Sequence, residues 1–163
     1  MEIEIRDSLQ RKDYKKAIQL AIKGMHFDWY MSNPILLNAY GRYFWYLEIN
    51  RATQILSAYV GDKFVGVLLA EIKGEPRKQQ NIFQKIYVKI IDMIQRILFK
   101  DGAGLYEDTT KKQLEKYLKT NSPDGEIVFL AADPDCTIKG IGTALLKKLE
   151  EREKREASLS IHR

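Results

Sequence analysis

The residues best suited to chemistry lie in one run near the C-terminus, Lys139-Gly140-Ile141-Gly142-Thr143. Glycines at the mouth of a helix make an anion site. The first helical N–H groups have no partner within the helix, point outward together and carry the positive end of the helix dipole. Glycine at 140 and 142 lets the main chain approach a phosphate with no Cβ in the way, and permits a positive φ if the turn requires one. Lys139 and, one turn into the helix, Lys147 supply point charges. The same spacing also serves a turn that only packs a helix on a strand, so the glycines alone leave both readings open. Cys136, in the loop before them, is a reactive thiol only if its pKa is lowered, and a plain loop cysteine is the simpler reading.

Two elements must position this run. Glu126–Ala132 is apolar on both faces after its first residue, which predicts a buried strand, and Asp133-Pro134-Asp135 stops it. Thr143–Glu156 reads as a helix with Ala144, Leu145 and Leu149 inward, and the alternation of Ala157–Ile161 predicts one more strand. Upstream, Glu2–Arg6 alternates like a strand. Asp13 is a candidate N-cap for a helix to about Lys23, with Tyr14, Ala17, Ile18, Ala21 and Ile22 as its apolar stripe and Gly24 as its left-handed terminator. Asn33-Pro34 opens a second helix to about Glu48, in which Tyr40, Tyr43, Phe44, Trp45 and Tyr46 have core spacing. Ala52–Val60 and Phe64–Ile72 form a hairpin through Gly61-Asp62-Lys63.

Asn81 then caps an amphipathic helix, Ile82–Phe99. Ile82, Phe83, Ile86, Ile90, Met93, Ile94 and Ile97 share one face, and Lys85, Lys89, Asp92 and Arg96 another. Covering the sheet is the ordinary use of such a face, although basic amphipathic helices also lie on membranes or partners. Asp101–Gly104 breaks this helix. A shorter polar one, capped by Thr109 or Thr110, follows and ends before Asn121–Gly125.

Leu130-Ala131-Ala132-Asp133-Pro134, followed by Thr137-Ile138-Lys139-Gly140-Ile141-Gly142-Thr143-Ala144-Leu145-Leu146, resembles the acetyl-CoA signature of the GNAT superfamily of N-acetyltransferases. Both glycines, the proline and Ala144-Leu145-Leu146 fall in register. Thr137 stands where that family has Gln or Arg, and Ile138 where it often has glycine. The order of upstream elements is similar too. The resemblance implies an α/β (mixed α+β) fold of the GNAT-like acyl-CoA N-acyltransferase type. Residues 1–163 would form one domain, with a central, mostly antiparallel sheet and flanking helices, an extra helical insertion at about 79–120, and no closing strands. It implies acetyl-CoA as cosubstrate, with its pyrophosphate on the N–H groups of Ile138, Lys139, Gly140, Ile141, Gly142 and Thr143. The pantetheine arm would pair like a strand with the main chain of Leu130, Ala131 and Ala132. The implied reaction is direct acetyl transfer to the amine of a small-molecule or peptide acceptor. The alternative is a CoA-binding module without turnover.

Transfer to an amine needs the free base of a group whose pKa is about 10.4 when lysine-like. Glu126 opens the motif strand, by alternation shares a face with Val128 and Leu130, and with partial burial would have a raised pKa suited to taking that proton. Glu126-Ile127-Val128-Phe129 also resembles the run that carries the general base in the family's histone-type branch. A solvated residue at a strand end is the alternative. His26, in Met25–Tyr30, falls where acceptors of the family often bind, and a packing or surface histidine is the simpler reading. The family's general acid is a tyrosine after a further strand, and none of the nine tyrosines matches that place. The chain is therefore expected to be truncated, or completed by another chain, and to self-associate through the edge at Ala157–Ile161.

Composition bounds these readings. At 163 residues the chain is one domain's length, and 45% apolar with 30% charged residues excludes disordered and fibrous classes. The net charge of +5 is spread along the chain, which suits an anionic ligand and makes no case for nucleic acid. The single cysteine excludes an internal disulfide and a multi-cysteine zinc site, and fits a reducing compartment. Met1–Arg6 has no apolar h-region, and Gln84, Lys85, Lys89, Asp92, Gln95 and Arg96 interrupt Ile82–Phe99, so neither exports nor spans. A cytoplasmic protein with no metal and no membrane partner is expected.

Overall fold

A computed structural model of the chain describes residues 2–98, 117 and 124–160. In chain order the elements are β1 (Ile3–Arg6), α1 (Tyr14–Gly24), α2 (Pro34–Arg51), β2 (Gln54–Val60), β3 (Lys63–Ile72), α3 (Ile82–Leu98), β4 (Gly125–Ala132) and α4 (Ile141–Ser160). The strands form one sheet in the order β1-β2-β3-β4, every neighbouring pair antiparallel.

Two apolar layers clothe this sheet. On one face Ala17, Ile18 and Ala21 of α1 and Trp45 and Ile49 of α2 meet Ile55, Tyr59, Val67, Leu69 and Phe129. On the other, Ile141, Leu145 and Leu149 of α4 meet Leu56, Ala58, Val65, Leu68 and Ala70. Strands β2 and β3 are thus buried on both sides, which is why they read as continuous apolar runs. The mixed α/β expectation is borne out.

Local chemistry explains several boundaries. Asn33 accepts the N–H groups of Ile35 and Leu36 at the start of α2, with Pro34 in its first turn. The hairpin is tighter than expected: Val60 pairs with Lys63, leaving Gly61 at φ 60° and Asp62 as the turn. Asp13 precedes α1, but its carboxylate makes no cap bond and accepts the Tyr59 hydroxyl at 2.7 Å. Gly24 stays within α1, and the left-handed residue is His26, at φ 54°.

Three larger expectations are corrected. Residues 157–160 are helical, because the charged run before them has high helix propensity and carries α4 through them, so no edge strand forms there for self-association. Ile161 lies outside the described residues, as do the proposed break at Asp101–Gly104 and, apart from Tyr117, the polar helix begun at Thr109 or Thr110. Within the proposed insertion, α3 is capped by Asn81, which accepts from Phe83 N–H at 3.0 Å and Gln84 N–H at 3.3 Å. It packs on α2 and does not cover the sheet. Asn50 donates to Gln84 at 2.8 Å, Tyr43 to Asp92 at 2.7 Å, and Tyr87 to the Ala39 carbonyl at 3.0 Å. Finally, β4 is less buried than its composition predicts, with Ile127 44% and Leu130 37% exposed. It is an end strand, and among the described residues only β3 pairs with it.

Candidate functional site

The edge of β4 that no described strand pairs and the mouth of α4 are brought together by the turn between them. Asp133 N–H donates to Val65 O at 2.7 Å, Cys136 N–H to Asp133 O at 3.1 Å, and Asp135 N–H to the Asp133 carboxylate at 3.1 Å. Lys16 on α1 donates its ammonium to the same carboxylate, whose side chain is only 5% exposed. Burial alone would raise the pKa of Asp133. The Lys16 bond, the Asp135 amide and the Lys16 charge outweigh it and hold the carboxyl below its ordinary value. The turn is therefore anchored to both β3 and α1.

Beyond the turn Gly140 takes φ 83°, the one position in the motif that needs glycine for its backbone. Its carbonyl accepts Ala144 N–H at 2.8 Å. Among the described residues no acceptor takes the amides of Ile138 or Lys139 in the loop, nor those of Gly140, Ile141, Gly142 or Thr143, the last four as the first turn of a helix dictates. Apart from the flanking residues and the helix's own backbone, no atom lies within 4 Å of where a Cβ would stand on Gly140 or Gly142, and Gly140 is exposed. Lys139, Thr143 and Lys147 are exposed. Ile138, at the family's frequent glycine position, has no positive φ, so its side chain costs the turn nothing in backbone strain.

Gly66 seats this helix on the sheet. A Cβ there would lie 2.7 Å from Cγ2 of Ile141 and 3.1 Å from the Ala131 carbonyl oxygen. Gly66 is absent from the site residues the motif points to. A lone glycine inside the apolar run Phe64–Ile72 was the available signal.

Ladder pairing along β4 places Leu130, Ala131 and Ala132 opposite Leu68, Val67 and Gly66. The register then slips: Phe129 faces Leu69 but Ile127 faces Ala70, so Val128 is a bulge with no partner in the ladder. The slip breaks the expected alternation. Val128, Phe129 and Ala131 all pack on the α1–α2 side, whereas Leu130 lies opposite Leu68, which belongs to the α4 side. Glu126 therefore does not share a face with both Val128 and Leu130.

A cavity of about 300 Å³ adjoins the end of β4, lined by Leu130, Ala131, Ala132 and Pro134 on one side and Leu20, Lys23 and His26 on the other. His26, at φ 54°, stacks its ring on Trp29 with ring centres 4.1 Å apart, and Trp29 and Tyr30 are 70% and 81% exposed.

Glu126 lies at the other end of β4, opposite Glu71. Arg51 bridges both, at 2.9 Å and 2.8 Å, and reaches Glu48 at 3.5 Å. The partial burial expected for Glu126 is found instead at Glu48; Glu126 is exposed because it sits at a strand end beside solvent. Burial pushes the Glu48 carboxyl above its ordinary range against the pull of Arg51, and the charges of Glu126 and Glu71 add to the rise. Glu48 gave no signal in the sequence, since a glutamate in the last turn of a helix is unremarkable until Arg51 and two strand ends converge on it. A cavity of about 420 Å³ opens beside the cluster, with Glu71, Glu75, Asp124 and Glu126 in its wall against Lys73 and Arg77.

Among the described residues no group of three or more His, Cys, Asp or Glu side chains is arranged to hold a metal ion, and no helix is long and apolar enough to cross a membrane. A family model described as the acetyltransferase (GNAT) family matches residues 18–162. No curated protein and no solved structure matches the chain.

Proposed function

The chain belongs to the GNAT acetyltransferase family, and from that premise we propose that it transfers an acetyl group from acetyl-CoA directly to the amine of a small-molecule or peptide acceptor. The observation that carries this reading is the set of amides at the mouth of α4 that have no acceptor among the described residues, beside the bulged edge of β4 that no described strand pairs. Acetyl-CoA fits these features, and when bound it supplies an activated thioester acyl group.

The N–H groups of Ile138–Thr143 would hold its diphosphate, aided by Lys139 and Lys147, because they are oriented before the ligand arrives. Leu130, Ala131 and Ala132 offer main-chain donors and acceptors to the pantetheine arm. A main-chain N–H freed near the Val128 bulge would donate to the acyl oxygen, where negative charge develops during transfer.

Glu126 is the proposed base. Reach decides before pKa: it is exposed, whereas Glu48 lies behind Arg51 and meets no acceptor. Val128 is two residues from Glu126, about 7 Å along the strand, a span suited to proton removal through one water. The excess of carboxylates around the neighbouring cavity favours an acceptor that arrives as an ammonium ion.

Calorimetric titration with acetyl-CoA tests the cofactor half. Saturable binding is expected, and Gly142→Glu should weaken it at least about 100-fold by placing a carboxylate among the amides. That site has room for a side chain, so the variant should keep the parent's melting temperature. Equal affinity in the two proteins would remove the cofactor from this site. If binding is found but no thiol is released with any amine, the CoA-binding module without turnover replaces the transferase.

A further inference from the structure

Among the described residues, helix α3 turns its most apolar surface outward. Ile82, Phe83, Ile86, Ile90, Met93 and Ile94 are all exposed, from 40% at Ile94 to 79% at Phe83. At the helical period these six fall within one arc of about 120°. The adjoining arc faces α2, through the bonds of Gln84 and Tyr87. Cations border the apolar arc on both margins. Lys85 and Lys89 follow it on one side, and on the other exposed Arg42 of α2 shares with Ile35 and Tyr87 a cavity of about 450 Å³. The one acid of α3, Asp92, accepts the Tyr43 hydroxyl.

We propose that this face lays α3 flat on an anionic lipid surface, its isoleucines and Phe83 entering the acyl boundary and Lys85, Lys89 and Arg42 meeting headgroup phosphates. The chemistry is that of an interfacial helix: a wide apolar arc, flanking cations, and too little apolar length to span. A second copy of the chain is the less suitable occupant, because pairing two such faces crowds their cationic margins together. The proposal departs from the expectation of no membrane partner, which took this face as a cover for the sheet. It does not depend on the acetyltransferase reading.

Flotation of the full chain with phosphatidylcholine vesicles, with and without about one-third phosphatidylglycerol, is the test. Binding is expected with the anionic vesicles and should fall as salt is raised. Ile86→Glu with Ile90→Glu should abolish it while leaving the melting temperature unchanged, since both side chains are exposed. Lys85→Glu with Lys89→Glu should weaken it by about tenfold or more. The proposal is overturned by failure to float with anionic vesicles or by undiminished flotation of the isoleucine double variant. It is equally overturned by a sedimenting dimer that this variant converts to monomer, which would give the face to a second copy.

Discussion

Arg51 holds three carboxylates that face different surroundings, and this separates their roles. Glu126 and Glu71 end adjacent strands, whereas Glu48 is packed in the last turn of α2. Glu126→Gln is expected to lower turnover by about 10²–10⁴ with the affinity for acetyl-CoA unchanged. Glu48→Gln should leave most of the rate. The reverse result would move the base to Glu48. Stability separates them too. Because the folded pKa of Glu48 is raised, the folded state binds more protons than the unfolded one between the two values. The parent therefore loses stability as pH rises from the ordinary carboxylate range through that folded pKa. Glu48→Gln removes this slope, so its melting temperature should gain on the parent's over the same interval. Little of this was legible beforehand. Alternation placed Glu126 on the motif strand, but a bulge and a convergence of three elements are tertiary facts.

At the scale of elements, the turn, β4 and α4 act as one unit because each is tied to something rigid. Asp133 is bound to Val65 and Lys16, and Ile141 sinks against Gly66. Gly66→Ala should destabilise the protein by about 1–3 kcal/mol, since neither the β-branched Ile141 nor the Ala131 carbonyl moves freely. It should also weaken acetyl-CoA binding by shifting the start of α4. Melting curves read the first effect and calorimetry the second; an unchanged melting temperature would mean that α4 is not seated by this contact. The hairpin, the Asn33 and Asn81 caps and the glycine turn were legible because their causes are local: a turn that needs Gly61, side chains that accept N–H groups, and a positive φ at Gly140. The extent of α4 was not. Ala157–Ser160 alternates like a strand, yet it continues a helix already nucleated upstream from Ile141 by favourable sequence and packing.

For the whole molecule, layering was readable and partnership was not. Apolar runs in β2 and β3 require cover on both faces, and α1, α2 and α4 provide it. An amphipathic pattern says only that a helix has an apolar face, not what meets it, so it does not reveal that α3 lies on α2 with that face outward among the described residues. The amides at the mouth of α4 are proposed to hold a diphosphate. Backbone amide resonances of Ile138–Thr143, followed while CoA and then pantetheine are titrated, test it most directly. CoA is expected to shift the amides from Gly140 to Thr143, whereas pantetheine, which lacks the diphosphate, is expected to leave them in place. Resonances of Leu130–Ala132 should respond to both. Stationary Gly140–Thr143 amides in the presence of saturating CoA would contradict the proposal.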